Sequence, residues 1–242
     1  MEDIYSRICC NLDLVRKRIE RSAERSGRNP EDIMLVAVSK GQPLDVIRAA
    51  IKAGITIFGE NYPEEGREKI LNSGQMVQWH MIGHLQSRKI PIVIEHFHYI
   101  QSIDSLPLAE KLSRQLMMRG KKLPVLLEVN IGGEASKIGW AASSEALWEN
   151  ILLDFERIVA LEGLEIKGLM TMPPFSVDPQ ESRSWFRNMV RLQSFLRGNS
   201  SIKTCKTWGV LSMGTSHDFE NAIEEGATCV RIGEAILGAR EP

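Results

Sequence analysis

Eight short apolar runs, each separated from the next by a longer stretch of helical periodicity, constrain the fold of this chain more than any other feature. They are IMLVAVSK (33–40), TIFGE (56–60), VQWHMIG (77–83), YIQSI (99–103), PVLLEVN (124–130), EIKGLMTM (165–172), TWGVLSMG (207–214) and TCVRIGE (228–234). Runs of this length read as buried strands. Between them, helical patterns cover 44–53, 62–72, 86–95, 106–119, 143–161, 179–197 and 218–225, and residues 1–28 add an amphipathic helix in front. Strands that alternate with helices pair in parallel through right-handed crossovers, and eight such units close into a barrel. The expected fold is therefore α/β: a single (β/α)8 barrel of TIM type, with the helix of residues 1–28 packed on it. An open doubly wound sheet is the alternative.

No Gly/Ser/Pro-rich linker interrupts the pattern, and MPPFSVDP (172–179) reads as one long strand-to-helix loop, so a single domain over 1–242 is expected. Only AILGAREP follows the eighth strand, which leads us to expect no second, C-terminal domain.

Charge and cysteine content narrow the function classes. With 30 basic and 31 acidic residues the net charge is −1, so no overall field favours a polyanion, and nucleic acid is not an expected partner. The local cluster Arg119, Lys121 and Lys122 reads as a solvated helix end. Cys9, Cys10, Cys205 and Cys229 lack paired-ligand spacing, and free thiols fit a reducing cytosol. The N-terminus carries acids early and is amphipathic throughout, unlike a signal peptide with its basic start and apolar middle, and no apolar run approaches the roughly 20 residues of a membrane span. A cytoplasmic chain without membrane contact is expected, and a barrel of this size can be stable as a monomer.

In a barrel the reactive groups gather where strands leave their C-terminal ends. Those ends carry Lys40, Glu60 and Asn61, His84, Ser102 and Asp104, Asn130, Thr171, Ser212 and Arg231. Lys40 ends an apolar strand. It can bury its methylene stem and lift the ammonium into water, or it can serve as a Schiff-base lysine, since burial disfavours the charged amine. In LSMGTSHDFENAIEEG (211–226) a strand ends in Ser212, turns through Gly214 and passes Thr215 and Ser216 into a helix near Asp218. Such a turn is an anion site, although Thr215 and Asp218 also match a capping box.

Gly233 opens a second short helix after the eighth strand, and these last two loops often hold a phosphate in barrels of this type. In a closed barrel Lys40 would lie next to that strand. A phosphate-bearing carbonyl compound fits this geometry, and pyridoxal 5′-phosphate (PLP) has both groups. Arg231, on the same strand face as Gly233, would then face the pyridine nitrogen and keep it unprotonated; the alternative is an arginine paired with Glu234 or Glu60. His80 and His84 lack the setting of a metal pair, His96 and His98 lie at the wrong strand end, and no metal site is assigned. Lys137 in SKIGW reads as a loop lysine in solvent.

VAVSK (36–40), FGENY (58–62), WHMIGHLQSRK (79–89), SIDS (102–105), EVNIGGEASKIGW (128–140), GLMTMPP (168–174), LSMGTSHDFENAI (211–223) and VRIGEAILGAR (230–240) together resemble the pyridoxal phosphate homeostasis protein family, in motif order along nearly the whole chain. The resemblance implies a PLP-binding barrel similar to the N-terminal domain of alanine racemases, with Lys40 in aldimine linkage. It places Asn61 beside the ring, Ser212, Ser216 and Gly233 in the phosphate cradle, and Arg231 at the pyridine nitrogen. Two departures stand out: Arg88 replaces the Asn common in the family's LQxNK segment, and Glu234 replaces a common Thr, which puts a hydroxyl contact to phosphate there in doubt.

The function implied is intracellular PLP homeostasis, by buffering or delivery to PLP-dependent acceptor enzymes, without strong turnover. An amino-acid racemase-like PLP enzyme is the alternative. Racemisation needs bases on both faces of the α-carbon, and Tyr62 is the one tyrosine expected near the mouth. A Schiff-base aldolase acting on a sugar phosphate would use the same lysine and cradle.

Overall fold

The first strand, β1 (Met34–Val38), carries apolar side chains on both faces, as a strand packed on two sides must. In the computed structural model, which describes residues 3–74, 77–174, 176, 178–199, 202 and 208–240, it lies between the strands nearest and farthest from it in sequence. The other strands are β2 (Ile57–Glu60), β3 (Gln78–Met81), β4 (Tyr99–Ile103), β5 (Leu123–Asn130), β6 (Trp140–Ala141), β7 (Leu164–Met170), β8 (Val210–Ser212) and β9 (Cys229–Ile232). Their order is β4-β3-β2-β1-β9-β8-β7-β5, and β4 also pairs with β5, so eight parallel strands close into a barrel. The ninth, β6, is a two-residue extension paired only to the end of β5, within a segment expected to be loop. Thr207, the first residue of the expected strand 207–214, lies outside the described residues, as do Cys205 and, in the 172–179 loop, Phe175 and Val177.

Helices α1 (Ile4–Arg25), α2 (Leu44–Lys52), α3 (Pro63–Ser73), α4 (Ile90–His96), α5 (Leu106–Met117), α6 (Trp148–Val159), α7 (Ser182–Gly198), α8 (Phe219–Glu224) and α9 (Glu234–Leu237) surround the strands. Three of the expected helix starts are instead 3-10 turns, at Ser87–Lys89, Glu145–Leu147 and Pro179–Glu181. Two of them hold a proline at or just after the turn, where the missing N–H costs least.

The helix after the last strand spans only four residues, too few to cover the β9–β1 seam. Helix α1 supplies the cover. It buries Ile8, Leu12, Val15, Ile19 and Ala23, a stripe at steps of three and four, and packs against α2, α8 and α9. Arg28 secures its end by donating to Ile223 O and Ala227 O at 2.9 and 2.7 Å.

Two apolar regions result from strand alternation. The larger lies between wall and helices and includes Ala37, Phe58, Trp79, Ile100, Leu127, Leu169, Leu211 and Val230. Inside the barrel a small separate cluster of Tyr99, Leu126 and Met170, with Val210 against it, fills one layer. Above that layer, toward the strand C-termini, the interior turns polar.

Candidate functional site

The period of two along each strand puts Val36, Val38 and Lys40 on one face of the first strand and its exit. A Cβ added to Gly59 would come within 2.9 Å of both Val36 and Ile82, which marks this face as the inside. On β9, paired with β1 in register Val36↔Arg231 and Ala37↔Ile232, the inward residues are Cys229 and Arg231, and Gly233 follows. Gly233 packs against Val38, where an added Cβ would meet the carbonyl oxygen at 3.1 Å. Lys40 therefore leaves the wall directly above Gly233.

Arg231 is 3% exposed. It donates from Nη2 to Thr171 O at 2.8 Å and from Nη1 to Ser212 Oγ. The Ser212 hydroxyl donates to Gln101 Oε1 at 2.6 Å, and Gln101 Nε2 donates to His80 Nδ1 at 2.9 Å. Donation runs one way, from guanidinium to imidazole, so His80 Nδ1 must accept and its proton sits on Nε2. His80 stacks on Tyr99 with centroids 4.7 Å apart. Burial, with His98 nearby, holds the imidazole down to about 3. Burial also lowers the Arg231 guanidinium, which remains a cation in any protein setting. The carboxylates weighed as partners of Arg231 do not bond it: Glu234 is exposed at the start of α9, and Glu60 faces outward to α3.

Above the polar layer, Gly214 takes φ +94°, and a Cβ there would sit 2.6 Å from that of Ala222, so the turn after β8 requires glycine. Asp218 accepts from Thr215 N at 2.7 Å and Thr215 Oγ1 at 3.1 Å, the returning half of a capping box, while the helix itself begins at Phe219. Ser216 Oγ accepts from Gly233 N at 3.3 Å, which ties the two last turns together. Asn61 follows β2, half-buried, with its backbone against Gly83. Burial, then the cation of Arg240, lowers the proton affinity of the Lys40 amine, and Glu60 and Glu65 partly oppose this.

The remaining polar strand ends are mostly committed elsewhere. Asn130 bonds Glu134 O and Gly133 N, Ser102 bonds Gly83 O, Thr171 Oγ1 bonds Val129 O, and His84 bonds Asp104 at 2.7 Å. Lys137 is not a solvent lysine: its ammonium donates to Met172 O and Pro173 O at 3.2 and 3.4 Å and straps two loops together. Tyr62 is 62% exposed at the start of α3, and Arg88 is exposed and bonded to Gln86. Among the described residues no group of three or more His, Cys, Asp or Glu is arranged for a metal ion.

Strand ends alone do not reveal His80, Gln101 and Glu128, which sit lower in the barrel. Glu128 is 8% exposed on β5, and burial, reinforced by Asp104 and opposed by Arg231 and Lys137, pushes its carboxyl up to about 7. A half-buried amine over a hydroxyl-and-amide turn, with a buried cation below, is a donor set for an aldehyde that also bears an anionic phosphate and a basic ring nitrogen. PLP fits it.

Residues 10–241 match the family described as alanine racemase, N-terminal domain. The pyridoxal phosphate homeostasis protein of Haemophilus influenzae is 39% identical over 236 residues, covering 95% of this chain and 94% of that one. The chain belongs to the pyridoxal phosphate homeostasis protein family. Another pyridoxal phosphate homeostasis protein, from Escherichia coli K12, is 38% identical over 240 residues, with 97% of both chains covered. Among solved structures, PipY of Synechococcus elongatus with PLP bound superposes with a TM-score of 0.76 at 32% identity, covering 91% of this chain and all of that one. Alanine racemase of Clostridium difficile shares the fold at a TM-score of 0.74 and 17% identity, and the chain spans 58% of its length.

Proposed function

We propose that this member of the family binds PLP through Lys40 and acts in PLP homeostasis, by buffering the cofactor and delivering it to PLP-dependent acceptor enzymes, without strong turnover of its own. The observation that supports this reading is the β1–β9 register, Ala37↔Ile232, by which the strand that ends in Lys40 runs beside the strand that ends in the Ser216–Gly233 turn. When bound, PLP supplies an aldehyde that captures amines and a conjugated ring that accepts electrons. The chain's own residues have four tasks. Lys40 offers an amine whose hold on its proton is weakened by burial. Ser212, Ser216 and the amide of Gly233 border the place for the phosphate, and Asn61 borders the ring. Arg231 puts a permanent cation where the ring nitrogen would lie, so that nitrogen stays unprotonated and the electron sink stays weak. A weak sink suits storage better than turnover.

No helix of the described residues is long and apolar enough to cross a membrane. Cys9, Cys10 and Cys229 are free thiols, which supports our placement of the protein in the reducing cytoplasm. We read the chain as one monomeric unit with α1 as part of the barrel's outer layer.

Purified protein loaded with PLP should show a visible absorbance band, fixed by borohydride and missing in Lys40→Ala. A colourless wild-type protein that traps a sugar phosphate on reduction would reject this reading in favour of an aldolase. One observation favours a second reading, a racemase-like enzyme: the Glu128 carboxyl can exchange protons near neutrality. Robust deuterium exchange at the α-carbon of amino acids, lost in Glu128→Gln, would establish it and exclude the carrier.

A further inference from the structure

Behind Lys40, on the outer side of the barrel wall, lies a group of charges that the PLP site does not use. Lys69 of α3 is a buried lysine, its side chain 8% exposed. Its ammonium has three protons to donate, and three acceptors meet it: Ser39 O at 2.5 Å, Glu60 Oε1 at 2.7 Å and Glu65 Oε1 at 2.6 Å. The same Glu65 oxygen accepts from Gly41 N at 2.6 Å, and Ser39 Oγ donates to Glu60 Oε1 at 2.7 Å.

Ser39 O belongs to the peptide group before Lys40, and Gly41 N to the one after it. Both peptide planes that bracket the amine-bearing residue are thus tied to one ion cluster. Glu60 is fully buried with Oε2 unpartnered, which makes the cluster costly to keep for stability alone. The strand ends at Val38, and beyond it the last sheet bond runs from Ser39 N to Gly59 O at 3.0 Å. Ser39 O also accepts from Gln42 N at 3.0 Å, so the cluster adds to one turn bond on the peptide before Lys40 and supplies the bond to Gly41 N on the peptide after it.

We propose that Lys69, with Glu65, is the positioning residue of Lys40, acting from outside the barrel by clamping the two peptide groups on either side of it. This rests on the reading of Lys40 as the residue that captures PLP. The clamp holds the Lys40 Cα, and with it the root of the side chain, in register with the Ser216–Gly233 turn. Charges facing Lys40 come from β2 (Glu60), α3 (Glu65) and the tail after α9 (Arg240), so a change in the clamp also changes proton affinity, and the test must separate place from charge.

Two rates at Lys40 separate them. Capture of PLP, fixed by borohydride, needs the amine in place, whereas acetylation by acetic anhydride needs only a neutral, accessible amine. Both are read by mass spectrometry of the Lys40 peptide, and their ratio isolates position. Because a misplacement of about 1 Å at a reacting atom can cost about a hundredfold, Lys69→Met should lower the ratio at least about tenfold. Lys69→Arg should recover part of the loss. Should Lys69→Met not fold, Glu65→Ala, at a half-exposed position, frees Gly41 N and should lower the ratio about threefold or more, while Glu65→Gln keeps an acceptor there and preserves it. A ratio unchanged in folded Lys69→Met, or in Glu65→Ala where Lys69→Met does not fold, overturns the clamp. Amide exchange in the PLP-free protein gives a second readout: Lys69→Met or Glu65→Ala should speed exchange at Gly41 about tenfold and leave the strands unchanged. Unaltered exchange at Gly41 likewise overturns the clamp. If wild type captures no PLP at Lys40, the functional reading fails, and the exchange measurement still decides the clamp.

Discussion

Ser212 Oγ donates to Gln101 Oε1 across the barrel interior at 2.6 Å while it accepts from the Arg231 guanidinium. One hydroxyl on β8 thereby satisfies a cation on β9 and an amide on β4, all removed from water. Ser212→Ala leaves a buried donor and a buried acceptor unmet, and should cost about 2–3 kcal/mol. Urea denaturation of the PLP-free protein measures it; a loss below about 0.5 kcal/mol would show that the chain of bonds contributes little.

The carboxyl of Glu128 is pushed up to about 7 from an ordinary 4.5. An acid that holds its proton more tightly when folded gives full stability below the unfolded value, and that stability falls as pH rises from about 4.5 to 7. The shift corresponds to roughly 3 kcal/mol. Glu128→Gln should therefore gain on wild type as pH rises across this window, and thermal melts at pH 4.5 and 7.5 should show the two midpoints diverging. Parallel midpoints would place the charge outside the buried setting.

For His80 the pH window is lower. Burial holds it down to about 3 from 6.5, so its neutral form stabilises the fold above 6.5 and the contribution is lost as pH falls toward 3. The loss is on the order of 4–5 kcal/mol. The geometry explains why a second proton is resisted: it would meet the Gln101 amide, donor against donor. His80→Gln should flatten the acid limb of the stability profile, as followed by urea midpoints between pH 3.5 and 7.

Gly83 lies so close to Asn61 that an added Cβ would come within 2.5 Å of the Asn61 carbonyl oxygen. Gly83→Ala must push the Asn61 backbone aside, at about 1–3 kcal/mol by the usual cost of overpacking. Weaker retention of PLP should accompany the loss, as measured by equilibrium dialysis. Unaltered retention would remove Asn61 from the PLP surface.

The barrel could be read from the alternation of apolar runs because eight strands buried on both faces leave eight unbroken runs. The two residues of β6 leave no such trace, since Trp140 and Ala141 pair only at the tip of β5. Lys40, Gly214, Ser216 and Gly233 stood out as strand-exit residues, and the barrel brings these positions to one end. Of its polar floor, Ser212 and Arg231 also stood at strand ends, whereas His80, Gln101 and Glu128 lie in strand middles, where strand ends give no sign of them. Strict alternation would have found the whole floor: His80, Gln101, Glu128, Ser212 and Arg231 all fall on the inward parity of otherwise apolar strands. Lys69 was hidden for another reason. Helical periodicity places it on the buried face of α3, yet only three-dimensional proximity reveals that its acceptors are Ser39 and Glu60.

Helix α1 is synthesised before any strand, yet the surfaces that receive it belong to α2 and to α8 and α9. The α2 surface follows α1 closely, but at ribosomal speeds of about 5–20 residues per second the stripe of Ile8, Leu12, Val15 and Ile19 waits roughly ten seconds or more for α8 and α9 to emerge. The barrel can close only at the end of synthesis: until β9 docks beside β1, part of the apolar stripe of α1 stays uncovered on the nascent chain.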